Sequence, residues 1–204
     1  MTSHPTLKLG FLASHGGSAM AATLAAIAAD QLRAEGRILI TNNPGCGAVA
    51  VAKGAGVPWR HISGSHEGSA EAADEAIADA LMDAGAELVV LSGYMRKLGP
   101  ATLARFGGRI LNIHPALLPR HGGQGLYGRR VHEAVRASGD TVSGASIHLV
   151  DSEYDTGPVI ARAEVPIHPE DGVDDIEARV RAVEPGLMVE TLRRIAAGEL
   201  QLPD

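Results

Sequence analysis

LKLGFLA at Leu7–Ala13, SHGGS at Ser14–Ser18 and an alanine-rich run onward to Arg33 decide the fold. An apolar run of strand length, a glycine turn and a stretch of helix formers read as strand, loop and helix. The phrase then repeats. Ile38 to Thr41 is apolar and is closed by Asn42-Asn43-Pro44-Gly45, a turn signal. Ala48 to Lys53 can be helical before Gly54-Ala55-Gly56, and Trp59 to Ile62 can be a strand. Ala70 to Ala84 carries apolar residues at helical spacing, Ala73, Ile77, Leu81 and Ala84. Leu88 to Leu91 reads LVVL, too continuous for a strand wet on one face and suited to one covered on both. Such alternation predicts a parallel sheet with helices on both faces. Beyond a strand at Ile110–Ile113 and a short helix at Val131–Ala137, the rhythm changes. Ser146–Val150 and Val159–Val165 follow one another with no room for a helix, so an antiparallel C-terminal edge is expected. Asp174 to Ala197 is a long helical pattern, expected to break or kink at Pro185-Gly186. The fold class is α/β: an open, mostly parallel sheet in a single domain over residues 1–204, without repeats or linkers.

Composition narrows the function. The 204 residues are 45% hydrophobic and 21% charged, which suits a globular domain with a sizeable core. A net charge of −6 argues against affinity built on nucleic-acid phosphates, but leaves room for a small anionic substrate. Aromatic residues are 3% of the chain, so no stacking platform for bases is expected. Cys46 is the single cysteine, which excludes an intrachain disulfide and a cysteine zinc cage. No apolar run approaches a membrane span, and MTSHPTLKLG lacks the layout of a leader. A cytoplasmic protein is expected.

Ligands of open α/β sheets bind beyond the C-terminal strand ends, so the residues after strands carry most information. Ser14, His15, Gly16, Gly17 and Ser18 follow the first strand and open a helix. Free N–H groups and a positive dipole end make this a phosphate cradle, or else an ordinary strand-to-helix turn capped by Ser18. The GxGxxG at Gly123, Gly125 and Gly128 does not follow a first strand and reads as a loop. Gly108 to Arg120 reads GRILNIHPALLPR. On a strand, Asn112 and His114 point the same way, and Pro115 ends the strand. An amide donor beside an imidazole can bind an oxyanion and move a proton; the same pair could merely satisfy loop backbone. In DSEYDTGP, Asp151 to Pro158, Asp155 either reaches back to His114 or serves an Asx turn. His148 either lines the same site or makes a structural hydrogen bond. The chain has no GxSxG elbow and no HExxH, and its nine histidines lack metal-ligand spacing.

NIHPALLPR followed by DSEYDTGP resembles the folate-dependent formyltransferases, and the likeness extends from residue 7 to 197 through SHGGS and VVLSGYMRKLGP. The resemblance implies a Rossmann-like sheet and transfer of a formyl group from 10-formyltetrahydrofolate, as co-substrate, to the amine of glycinamide ribonucleotide in purine biosynthesis, without a metal. It makes Asn112, His114 and Asp155 catalytic. It gives the Ser14–Ser18 loop to the substrate phosphate, Arg181 and Glu184 to phosphate and ribose, and Met95, Arg96 and Leu98, with Asn112, to the folate. The partners implied are small molecules rather than nucleic acid or membrane, with a homodimer allowed. Three departures stand out. His15 and Ala19 replace a glycine and an asparagine usual in the family loop, His121–Arg130 is longer and richer in glycine, and Pro185 follows Glu184 where the family usually has histidine. Formyltransferases of tRNA or nucleotide sugars carry further C-terminal domains, and the hydrolase relative an N-terminal one; neither is expected here. A formyltransferase of another small amine and a silent folate- or nucleotide-binding module are the alternatives.

Overall fold

A computed structural model describes residues 6–203. The leader reading of MTSHPTLKLG falls partly on residues 1–5, outside the described residues. In chain order the elements are β1 (Leu7–Ala13), α1 (Ser18–Ala28), β2 (Ala34–Thr41), α2 (Gly47–Gly54), β3 (Trp59–His61), α3 (Gly64–Glu67), α4 (Ala70–Asp83), β4 (Leu88–Leu91), α5 (Pro100–Phe106), β5 (Ile110–His114), α6 (Arg129–Ser138), β6 (Val142–Leu149), β7 (Val159–Pro166) and α7 (Val173–Ala196). One seven-stranded sheet runs in the order β3-β2-β1-β4-β5-β6-β7. The first five of these pair in parallel. The β5–β6 and β6–β7 pairs are antiparallel, as the change of rhythm predicts.

The continuous apolar runs follow from the sheet having two covered faces. Leu9, Phe11, Leu88, Val90 and Leu111 point into one core with Met20 and Leu24 of α1 and Met188 and Leu192 of α7. Leu12, Ile40, Val89, Leu91 and Ile110 point into the other, with Ile77 and Leu81 of α4 and Phe106 of α5. A smaller cluster joins Val131 and Val135 of α6 to Ile176 and Val180 of α7 over Ala145 and Val165. All five parallel strands end at one edge, and order reverses between β1 and β4, so their following loops converge there.

Several elements differ from the sequence reading: β6 begins at Val142 rather than Ser146, and α3 and α5 are helices that the sequence reading does not give. Helix α1 stops at Ala28 rather than Arg33, and β2 starts at Ala34. Asp30 takes a left-handed conformation (φ 57°), and the Gln31 and Leu32 N–H groups turn back to the Ala26 carbonyl. That is a helix stop without the glycine that usually marks one. Helix α7 runs unbroken through Pro185. Proline in a helix interior costs about 3 kcal/mol. Ile176 and Val180 before it, and Met188 and Leu192 after it, are each fully buried, and one such side chain is worth about 1.5–3 kcal/mol. Burial of both halves outweighs the missing bond.

Candidate active site

Strand β5 places Ile110, Asn112 and His114 on one face, with Ile110 in the core and the two polar residues nearer the strand end. Antiparallel pairing sets His148 of β6 directly opposite Asn112 and Ser146 opposite His114. The Ser146 hydroxyl donates to the Ala116 carbonyl (2.7 Å) and accepts from the Leu118 N–H (3.0 Å), pinning the chain that leaves β5. The 150–158 loop brings Asp155 against both imidazoles. Its Oδ2 lies 3.4 Å from His114 Nδ1, and its Oδ1 lies 3.4 Å from His148 Nε2. The Gly123 N–H donates to the same Oδ2 at 3.0 Å. The Asx-turn work belongs instead to Asp151, which accepts from the Glu153 N–H and the Thr156 hydroxyl.

Hydrogen bonds assign the proton positions. His148 Nδ1–H donates to the Leu149 carbonyl (2.9 Å), and its Nε2 faces both the Asn112 amide nitrogen (3.0 Å) and Asp155 Oδ1 (3.4 Å). This orients the Asn112 side chain and leaves its second N–H for a ligand. His114 Nε2–H donates to the His121 carbonyl at 2.8 Å, turning Nδ1 toward Asp155. His114 is 3% exposed, and that burial pushes its imidazole below the ordinary value, against the pull of Asp155 and the His121 carbonyl. Burial pushes Asp155 up, but the His148 hydrogen bond, the His114 charge and the Gly123 N–H together hold it low. The group is an ionised carboxylate beside a buried imidazole whose charged form burial opposes and Asp155 favours, with an oriented amide next to it. It can receive a proton and stabilise a nearby oxyanion.

The Ser14–Ser18 loop and the segment after β4 meet beside this cluster's edge of the sheet. Ser14 is buried, and its hydroxyl donates to Asn42 Oδ1 (2.6 Å) and accepts from the Met95 N–H (2.9 Å). Ser14 therefore joins the loops after β1, β2 and β4. What this segment turns outward is His15, Gly16 and Ser18, all exposed, and the start of α1. Gly17 is the N-cap, at φ 67°, and a Cβ there would stand 2.9 Å from Ala48. The N-cap offers no side chain to α1, and the Met20 N–H donates to the buried Ser92 hydroxyl (3.0 Å), which leaves the Ser18 and Ala19 N–H groups as the open donors of the first turn. Of the expected folate residues, Leu98 is buried, while Met95 and Arg96 are exposed. Arg181 and Glu184 lie on α7, and no hydrogen bond or ion pair among the described residues joins them to Asn112, His114 or Asp155. Arg181 pairs with Glu177 at 2.7 Å. Glu184 is half-buried, and burial lifts its carboxyl to about 7. The Arg181 and His114 charges both act on His132 of α6, whose buried Nδ1 has no hydrogen-bond partner among the described residues.

Three contributors were not assigned from sequence. Sequence alone leaves His148 open between lining the site and a structural hydrogen bond, and the register sets it opposite Asn112. His121 acts through its main chain and gives no sequence signal. Asp74 is 6% exposed, and its carboxylate accepts from the N–H groups of Gly99 (3.0 Å), Ala101 (2.7 Å) and Thr102 (3.3 Å). It thereby caps α5 and holds the end of the 92–99 segment; Gly99-Pro100 was the signal for that helix start.

Fold and site together define a class: an α/β protein whose strand-end cluster holds an amide, an imidazole and a carboxylate, the groups that oxyanion binding and proton transfer require. Residues 7–192 match the formyl transferase family, and the chain belongs to it. It is 40% identical over 131 residues to phosphoribosylglycinamide formyltransferase of Haemophilus influenzae, covering 64% of this chain and 59% of that one. It is 34% identical over 191 residues to phosphoribosylglycinamide formyltransferase of Escherichia coli, covering 94% and 88%. Its structure is similar to glycinamide ribonucleotide transformylase 1 from Symbiobacterium toebii, with a TM-score of 0.89 and 31% identity over 97% of this chain and 91% of the other. No helix among the described residues is long and apolar enough to cross a membrane.

Proposed function

We propose that this protein transfers the formyl group of 10-formyltetrahydrofolate to the amine of glycinamide ribonucleotide, a step of purine biosynthesis, in the cytoplasm. The observation that carries the proposal is the meeting of Asn112, His114 and Asp155 within one cluster. The amine nitrogen attacks the formyl carbon, and the carbonyl electron pair moves to oxygen. The Asn112 N–H not used by His148 and the charged His114 ring stabilise that oxyanion; a donor so placed is worth a few kcal/mol. Asp155 holds the imidazolium and accepts the amine proton, directly or through water. Collapse of the oxyanion breaks the bond from the formyl carbon to the folate nitrogen, and the proton taken from the amine passes to that nitrogen as tetrahydrofolate leaves. The open N-terminus of α1 with His15, Gly16, Gly17 and Ser18 suits the ribonucleotide phosphate, with Arg181 as a second cation and Glu184 as the acceptor for ribose hydroxyls. Exposed Met95 and Arg96 on a segment tied to Ser14 and to Asp74 suit the folate. None of these steps calls on a metal.

His15 and Ala19 in the phosphate loop favour one second reading, formyl transfer to another small amine. An absorbance assay for tetrahydrofolate, run with and without glycinamide ribonucleotide, separates the two. Turnover that requires the ribonucleotide supports the proposal. Turnover only with another amine moves the acceptor, and no transfer to any amine returns the chain to a binding role.

A further inference from the structure

The start of the long glycine-rich segment touches both members of the His114–Asp155 pair. The His121 carbonyl takes the His114 Nε2–H, and the Gly123 N–H is given to Asp155. Between them, Gly122 lies so close that a Cβ would come within 2.4 Å of Leu118 Cδ2 and 3.2 Å of Asp155 Cβ. The segment beyond is glycine-rich and cannot by itself fix a carbonyl's direction. Something must anchor it. His121 Nε2 lies 2.7 Å from Asp140 Oδ2, with both side chains about 15% exposed or less, and Arg120 holds the other carboxylate oxygen. His121 is also one of the few non-glycine residues in the left-handed region, at φ 57°, a conformation that persists where surroundings hold it.

We propose that His121 is a positioning residue: anchored through its side chain by Asp140, it sets its own carbonyl as the fixed acceptor that orients the His114 ring toward Asp155. The inference rests on the formyl-transfer reading for its catalytic consequence, but not for its structural one. With the carbonyl in place, the proton stays on Nε2 of His114, and Nδ1 faces the carboxylate. Without it, the ring loses one of the two acceptors that favour its charged form, while burial continues to oppose that form. The other groups bearing on His114 are Asp155, which favours its charged form, and His148, His132 and the His121 ring itself, which oppose it; Asp140→Ala keeps that ring and so isolates the loss of the carbonyl.

The test compares His121→Ala, His121→Gln and Asp140→Ala in the full chain. Three quantities are read: the imidazole nitrogen resonances of His114 against pH, kcat and both KM values against pH, and Tm. His121→Ala and Asp140→Ala should lose the Nε2–H signal of His114 and move its titration midpoint to lower pH. Both should lower kcat about tenfold, the scale of a misplaced proton-transfer group, with the folate KM within about twofold. His121→Gln, whose amide can reach Asp140, should restore most of the loss. A folded His121→Ala protein with an unmoved His114 midpoint and unchanged kcat overturns the proposal, whatever its Tm. So does a rise in kcat, which would make the carbonyl a restraint on His114. If the wild-type protein shows no formyl transfer, the functional reading fails and the resonances alone decide the role of His121.

Discussion

DSEYDTGP holds two aspartates that do different work. Asp151 builds the turn, and Asp155, in a left-handed conformation at φ 58°, is left to face His114 and His148. Glu184 shows a different tension, since burial lifts its carboxyl from an ordinary 4.5 to about 7. The folded state therefore holds that proton more tightly than the unfolded chain. The stabilising effect is fully present below pH 4.5 and is lost as pH rises through 7. Glu184→Gln should thus melt a few degrees above the wild type at pH 8, with the gap closing toward pH 4.5, in parallel thermal melts. If Glu184 takes the ribose hydroxyls as proposed, the same variant should bind the ribonucleotide less well, a loss of stability kept for function. Equal melting at pH 8 would contradict the burial account. Arg181 is exposed and already paired with Glu177. Arg181→Ala should raise the KM for the ribonucleotide about tenfold and leave the folate KM alone; an unchanged ribonucleotide KM would make it a solvent-facing helix residue. At this scale Asn112 and His114 were legible because a period of two is local. Asp155 was half-legible, because chain distance could not choose between turn and site. His148 needed the β5–β6 register, and His121 works through a carbonyl that every residue has.

The elements show where patterns compete. Helix α5 was absent from the sequence reading, although Gly99-Pro100 marks its start. It is short and is held from outside by Asp74 of α4, whose carboxylate takes three of its end N–H groups. Asp74→Ala leaves those buried donors without an acceptor and should destabilise the fold by about 1–3 kcal/mol in chemical denaturation. Because the same bonds fix the end of the 92–99 segment, the folate KM should rise as well, while the ribonucleotide KM stays near wild type. A stability loss with both KM values unchanged would detach Asp74 from the site. Helix α7 teaches the reverse lesson. Pro185 gives a strong local signal for a break, but Ile176, Val180, Met188 and Leu192 bury both halves, and the helix continues. Propensity is local, and tertiary burial overrides it. The early end of α1 has the same character: Asp30 stops the helix by a backbone conformation that its residue type does not announce.

For the whole molecule, the sheet order explains why the site lies where it does. The loops after β1 and β4 and the end of β5 share one edge, and the antiparallel β6 adds His148 and leads into the Asp155 loop. The alternation of LKLGFLA, ILIT and LVVL with helices made the parallel part legible, and the helix-free gap after β6 made the antiparallel edge legible. The strand order was not, since it depends on which strands meet across many residues. Amide exchange should be slowest in β1, β4 and β5, which are paired on both sides, and faster in the edge strands β3 and β7. Uniform protection across the sheet would contradict that order. The account's central claim is that the cluster on β5 carries formyl transfer while binding lies elsewhere. It is tested most directly by measuring ribonucleotide-dependent tetrahydrofolate formation and folate affinity side by side in the wild type and in His114→Ala. The account predicts a fall in kcat of about a hundredfold or more with folate affinity within about threefold of wild type. A variant that keeps its turnover, or that loses turnover only in step with folate binding, would contradict it.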